Sequence, residues 1–331
     1  MIRLFFCSIF LLCVFVGMAQ MQQMQPPRFG RVYVETNMQP PQRLTDVPES
    51  HYRLSGLSVG MMLPLYTTKF RQLNDTTPPP SLAITIHPSV SYSRISISHP
   101  NQERILMNPQ FTLSSYYMFK RKSMFFVNLR TQLNEDEFTA KNPEPRYAFL
   151  TLYSRKVSGG FSYFGGAAYS YVFGEGRFFP LLGARVTLGK QSTINMVLPL
   201  QVTFRTQLSS RLRLSVYLRP QGGVNRFENR LTIADSTQKV LVFRRRGAQL
   251  GVALSYQLRN NLSIVIDPSL LVAQKIQFTN ESGSQTYINH NLSRGFQLHL
   301  MIVWRPWQNS LRNQQYPDAK PEEDDSFLLG F

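Results

Sequence analysis

The chain of 331 residues carries 36 Lys and Arg against 19 Asp and Glu, a formal net charge of +17, at a mean hydropathy of −0.20. Its two cysteines, Cys7 and Cys13, both fall in the first twenty residues, which excludes a disulfide framework or a cysteine metal site from the rest. Such a charge suggests nucleic acid, but the basic residues are spread along the chain rather than gathered in a recognition motif, so no nucleic-acid partner is expected.

Residues 1–19 begin with Arg3, continue through an apolar stretch from Leu4 to Val16 and reach Gly17-Met18-Ala19. This is the pattern of a secretory signal peptide cleaved after Ala19, and its apolar stretch falls short of the ~20 residues that span a bilayer. Leu12 stands where lipoprotein processing at Cys13 needs a small residue. Removing the signal takes Arg3 from the total of +17 and leaves +16. No later apolar run is long enough for a spanning helix, so a membrane form of this chain has to be a barrel, the other structure that satisfies every backbone group in lipid.

Residues 20–50 are rich in Gln, Met and Pro and read as a flexible lead, with Arg31 to Glu35 able to add a short strand. From 51 to 305 the chain is strand after strand. Runs near 54–66, 82–98, 104–119, 123–134, 146–157, 159–173, 178–189, 192–206, 210–227, 240–258, 261–277 and 288–304 predict an all-β, antiparallel transmembrane barrel of about twelve strands, with ten to fourteen allowed. Turn signals such as Gly189-Lys190-Gln191-Ser192 and Arg259-Asn260-Asn261 separate them.

The stretch STINMVLPLQVTFR, Ser192 to Arg205, shows the pattern most plainly. Ile194, Met196, Leu198, Leu200, Val202 and Phe204 share one phase, and Thr193, Asn195, Gln201, Thr203 and Arg205 the other. A period of two means extended chain with one dry face. Either a soluble core or lipid can supply the dry surroundings. In 159–173, Phe161, Tyr163, Tyr169, Tyr171 and Phe173 flank a glycine and alanine centre, as in the aromatic girdles of a membrane barrel, and this favours lipid. The even phase of 194–204 is then the lipid face, with Leu198 and Leu200 near mid-strand. The long segments near 67–80, 135–145, 228–239 and 279–287 do not all fall on one side of a twelve-strand count. Residues 306–331 form a polar, acidic tail without alternation. The strand 296–304, closing on Trp304, is expected to carry the aromatic signal read by the barrel-assembly machinery.

Between Tyr171 and Phe227, the elements Gly174-Glu175-Gly176-Arg177, Phe179-Pro180-Leu181-Leu182-Gly183, Leu198-Pro199 and Pro220-Gln221-Gly222-Gly223-Val224-Asn225-Arg226-Phe227 resemble a Bacteroidetes-type family of outer-membrane β-barrels that bears only a domain-of-unknown-function label. The resemblance covers the barrel and neither tail. It implies architecture and an outer-membrane location, with no activity to carry over.

Nothing in the sequence marks chemistry. His51, His87, His99, His290 and His299 stand singly, without ligand spacing, so neither a metal nor a cofactor is expected. A membrane-barrel hydrolase built on His299 and a serine is a remote alternative; with no nucleophile motif the chain is read as not an enzyme. Gly222-Gly223 precede no helix and are read as permitting a bend or bulge. Opposite the apolar phases lie Arg130, Arg185, Arg205, Arg213, Arg219 and Arg259, with Asp267 the one clear acid, and these arginines are the candidate lumen-lining residues. Arg205 and Arg259 lie close to turns, which makes the rim an alternative place for them. The sequence therefore predicts a porin-like barrel with a small or occluded, basic pore that admits small anions, set in outer-membrane lipid and lipopolysaccharide. The alternative is a structural or interaction barrel that binds an envelope partner through loops or tails.

Overall fold

A computed structural model describes residues 30–67, 81–98, 101–119, 122–134, 144–227, 231–233, 236–238, 241–280 and 283–306. The expected signal peptide, residues 20–29 of the lead and the tail from 307 lie outside the described residues. The strands in chain order are β1 (Arg31–Arg43), β2 (His51–Thr67), β3 (Ser81–Ser98), β4 (Asn101–Phe119), β5 (Ser123–Leu133), β6 (Pro145–Lys156), β7 (Phe161–Ser170), β8 (Arg177–Leu188), β9 (Ser192–Leu198), β10 (Gln201–Gln207), β11 (Leu212–Phe227), β12 (Leu231–Ile233), β13 (Ser236–Gln238), β14 (Leu241–Arg259), β15 (Leu262–Thr279), β16 (Thr286–Asn291) and β17 (Gly295–Trp304).

Fourteen of them close into one antiparallel barrel. Each of β1 to β10 bonds the next, β11 bonds β14, β14 bonds β15, and β17 lies between β15 and β1. Closure gives every barrel strand a neighbour on both sides over at least part of its length. β16 continues the line of β17 along the outer part of β15, and β12 with β13 makes a small separate hairpin. No described helix is long and apolar enough to cross a membrane.

Fourteen lies within the expected ten to fourteen, and two differences separate it from the twelve runs read along the chain. First, the barrel starts at Arg31 rather than near residue 51, because β1 lies inside the stretch read as a flexible lead. Val34 and Met38 face outward while Arg31 and Gln39 are buried inside. The alternation is hard to read because Pro40 and Pro41, which have no N–H to donate, sit in a register shift between Gln39 and Gln42.

Second, 192–206 is a hairpin and not one strand. Val197 stands opposite Gln201, Met196 opposite Val202 and Ile194 opposite Phe204, around a tip of Leu198, Pro199 and Leu200 closed by Leu200 N donating to Val197 O at 2.8 Å. An odd-numbered tip sets even residues against even ones, so the phase runs through the turn unbroken. The even phase faces outward except at Leu200, which is 1% exposed and points into the barrel, whereas Leu198 is 53% exposed. Both leucines sit at the tip rather than at mid-strand.

The expected strand 159–173 also ends early, at Ser170. Tyr171 and Phe173 belong to the following connection, where Phe173 packs edge-on against the inward Phe179 at 5.4 Å and Arg146 lies 5.9 Å from the Tyr171 ring. The outward rings form two belts. Tyr117, Phe119, Tyr153 and Tyr163 touch in series toward the end where β1 starts and β17 finishes, and Tyr169, Phe149 and Phe178 do so toward the other. On β7 the belts are six residues apart, about 20 Å of strand. With fourteen strands the connections after β5, β11 and β15 all fall at the far end, opposite the chain termini, and of the four long segments only the β2–β3 connection joins strands at the termini end.

Candidate functional site: the barrel lumen

The far end of the lumen is closed by hydrocarbon. Inward side chains of β2, β3 and β4 (Tyr52, Leu54, Ile95, Ile97, Leu106) meet Phe227, Leu241, Phe243, Ile276 and Phe278 from β11, β14 and β15 in one buried cluster. The rings of Phe227, Phe243 and Phe278 lie 5.1 to 5.8 Å apart.

This closure depends on how short the β9–β10 hairpin is. Beyond Leu218, β11 has no β10 residue to pair with, although it pairs with β14 as far as Phe227. That part of the β11–β14 arm leans over the mouth instead. Arg226 N donates to Asn134 O at 2.8 Å, Asn134 Nδ2 donates to Val224 O at 2.8 Å, and the Arg146 guanidinium donates to the same carbonyl. Val224 and Arg226, outward by phase, are consequently buried. Gly222 allows the approach, since a Cβ there would collide with the carbonyl oxygens of Val172 and Arg245. Pairing with β14 runs unshifted through Gly222 and Gly223, so they make a bend and not a bulge.

Below the closure, one wall is a hydrogen-bonded polar network. The Tyr217 hydroxyl donates to Asp267, whose Oδ1 and Oδ2 lie at 2.9 and 2.8 Å. Gln249 Nε2 donates to the Tyr217 hydroxyl at 3.0 Å and to Ser269 Oγ at 2.8 Å, and Gln249 Oε1 accepts from Arg219 Nε at 3.0 Å. Gln221 donates to Gln297 at 2.8 Å. His299 lies between Glu35, at 3.1 Å, and Asp267, at 3.9 Å. Among the described residues no hydrogen bond joins His299 to a serine. The facing wall, from β5 to β9, carries an apolar cluster: Phe126, Leu150, Leu152, Phe164, Ala168, Phe179, Leu181 and Val197 pack together with Leu200 from the hairpin tip.

The six candidate arginines divide by height. Arg130 on β5 lines an inner cavity with Phe126, Asn128, Leu150, Ala168 and Leu200. Arg219 belongs to the polar network, its guanidinium 4.8 Å from the Tyr217 ring. Arg185, Arg205 and Arg213 share the phase of buried Leu181, Thr203 and Ser215, and so face inward in the half nearer the chain termini. Arg259, the last residue of β14, is exposed at the rim. Sequence reasoning missed Arg31 and Glu35, hidden in the supposed lead. It also missed Lys156, at the end of β6 on the same inner phase as Leu150 and Leu152. With Lys156 included, the inner faces of β6 to β11 carry no Asp or Glu. A group of three or more metal-binding side chains is absent among the described residues.

Residues 18–305 match the family described as Domain of unknown function (DUF6268). The chain belongs to that family. No curated protein matches it. Solved structures similar to it include an outer membrane channel from Pseudomonas putida F1, 10% identical at a TM-score of 0.47, with 87% of this chain and 99% of that one covered. The β domain of the Bordetella autotransporter Brka is 9% identical at 0.36, over 84% of this chain and 99% of that one. The Pseudomonas putida toluene transporter TodX is 8% identical at 0.33, over 84% and 89%.

Proposed function

We propose that this family member is an outer-membrane β-barrel, exported by a cleaved signal, whose lumen is a small, occluded pore with a basic vestibule at the termini end. The observation that carries the reading is the set of inward cations, Lys156, Arg185, Arg205 and Arg213, on strands without an inward acid, lying beneath an apolar closure. Fixed cations in a low-dielectric wall raise the local concentration of anions, and the arginine fork suits phosphate and carboxylate. A hydrocarbon constriction excludes hydrated ions by staying dry. Outer-membrane lipid and lipopolysaccharide are the partners this setting supplies, and the barrel-assembly machinery reads the strand that ends at Trp304. The Bacteroidetes-type envelope is carried over from the sequence resemblance. The chain performs no enzymatic step in this reading.

Planar-bilayer recording tests it. The native barrel gives little or no current, with anion preference in a salt gradient wherever current flows. Phe227→Ser with Phe243→Ser raises the conductance several-fold. Cation preference, or no change on opening the cluster, overturns the pore. A structural or interaction barrel is the second reading, favoured by the closure itself, in which both faces of the β11–β14 arm are covered; it predicts that the opened variant stays silent.

A further inference from the structure

The two ends of the barrel differ in charge. Of the acids among the described residues, Asp46, Glu49, Glu103, Glu144 and Glu175 lie at the far end and Glu35 and Asp267 in the lumen; none lies at the termini end. The termini-end rim instead carries Lys122, Lys190, Arg211 and Arg259, all exposed, at the turns after β4, β8, β10 and β14. Just inside it, Lys156 and Arg185 stand in one row across β6, β7 and β8, with Ser162 between them. Lys156 Nζ is buried and has no hydrogen-bond partner among the described residues. A buried ammonium without an anion is costly, so Lys156 calls for a carboxylate that no described residue at this end can supply.

The missing acid is within reach in the same chain. Residues 318–325, Asp-Ala-Lys-Pro-Glu-Glu-Asp-Asp, hold five of the 19 acids, and less Lys320 they carry −4. They follow β17, which ends at this rim. Arg305 N donates to Asn261 O at 2.8 Å and Arg305 Nη1 to the hydroxyl of the inward Ser263 at 3.0 Å, so the Arg305 side chain already lies over the mouth. Glu322 is 17 residues beyond Arg305, about 55 Å when fully extended. Fourteen strands about 4.8 Å apart and tilted about 40° enclose a mouth roughly 28 Å across, which that length spans. We propose that the acidic segment 318–325 docks across the basic mouth at the termini end, with its carboxylates against Lys156, Arg185, Arg205 and Arg213, as a tethered counterion of the vestibule. Tethering gives the segment an effective concentration of the order of mM, so it meets these cations ahead of dilute anions in solution. The docking shares with the proposed pore only the inward placing of the four cations. It is read as proximity and needs no current: a silent barrel leaves it standing, and an undocked tail leaves the pore standing.

Disulfide trapping in the full chain, folded in phosphatidylcholine vesicles at low salt, tests the proposal. Ser326→Cys sets a thiol beside the acidic run, Gln191→Cys sets its partner on the exposed turn beside Lys190, and Cys7→Ser with Cys13→Ser removes the other thiols. The cross-link is expected to form within the chain, and none is expected when Gln285→Cys at the far end replaces the rim thiol. Salt at about 1 M, or Glu322→Gln, Glu323→Gln, Asp324→Asn and Asp325→Asn together, lowers trapping roughly tenfold, the scale of two exposed ion pairs. Lys156→Gln with Arg185→Gln does the same from the barrel side. Heat-modifiable migration reports whether that barrel variant has folded; if it has not, the tail variants, which leave every barrel residue in place, carry the test. Trapping that ignores both salt and neutralisation shows a tether without docking and overturns the proposal. Loss of trapping when phosphatidylglycerol replaces phosphatidylcholine gives the rim to lipid head groups and overturns it too.

Discussion

The two walls of the lumen are built to opposite rules. β5 to β9 present Phe126, Leu150, Leu152, Leu181 and Val197 to the interior, whereas the wall across from them presents Tyr217, Gln249, Asp267, Ser269 and Gln297. Outside, both walls are alike and apolar. The medium around a barrel imposes one chemistry on the whole outer surface, but the inner surface answers only to its own neighbours. Each inner wall therefore has to be satisfied locally, by close packing on one side and by complete hydrogen bonding on the other.

Four changes break or sharpen that contrast. The largest effect is expected at Leu181, fully buried on the apolar wall. If that wall is a packed core, Leu181→Ala costs about 2–5 kcal/mol in equilibrium unfolding by urea in lipid vesicles, and a water-wetted wall would give a fraction of this. Next comes Tyr217→Phe on the polar wall, which keeps the ring over Gly251 but removes the donor to Asp267 and the acceptor for Gln249. Taking the hydroxyl donor from the buried Asp267 carboxyl costs about 1–3 kcal/mol in the same titration; stability equal to the native chain would mean that water already serves it. Third, Arg213→Glu with Arg219→Glu sets acids on the polar side of the vestibule and is read as selectivity. The reversal potential in a salt gradient should lose its anion preference, and an unaltered potential would place the current elsewhere. The last change is Leu198→Arg on the outer surface that both walls share. Leu198 pairs with Leu182 and Leu182 with Gly165, between the two belts on β7, so an outward arginine there is expected to cost about 2–4 kcal/mol, as at Val90. A cost near zero would put the tip at an interface.

Much of the fold was legible in the residues, and the failures have physical causes. Alternation finds strands where the two faces meet different media, as in Leu212 to Leu218. It fails on β1, where Pro40 and Pro41 break the rhythm, and it misses the β9–β10 turn because a three-residue tip preserves parity. Of the candidate site, the inward arginines on β8, β10 and β11 could be read from phase alone. Whether the opposite side is oily or wet could not, because Leu150 and Leu152 alternate with Phe149 and Tyr153, and a strand that is apolar on both phases does not say which one looks inward. The apolar closure was equally hidden: Phe227 and Phe278 stand more than forty residues apart and meet only once the sheet has closed.

The odd-numbered tip of the β9–β10 hairpin has a consequence for how such barrels change size over evolution. A long strand that folds back on three residues leaves the side chains on either side of the tip on the faces they already occupied, so one strand can become two without a single substitution of apolar for polar. What the refolding gives up is height at that one place. Barrels of different strand number can thus share nearly the same local sequence grammar, and a low parapet beside full-height neighbours marks where a ring was widened.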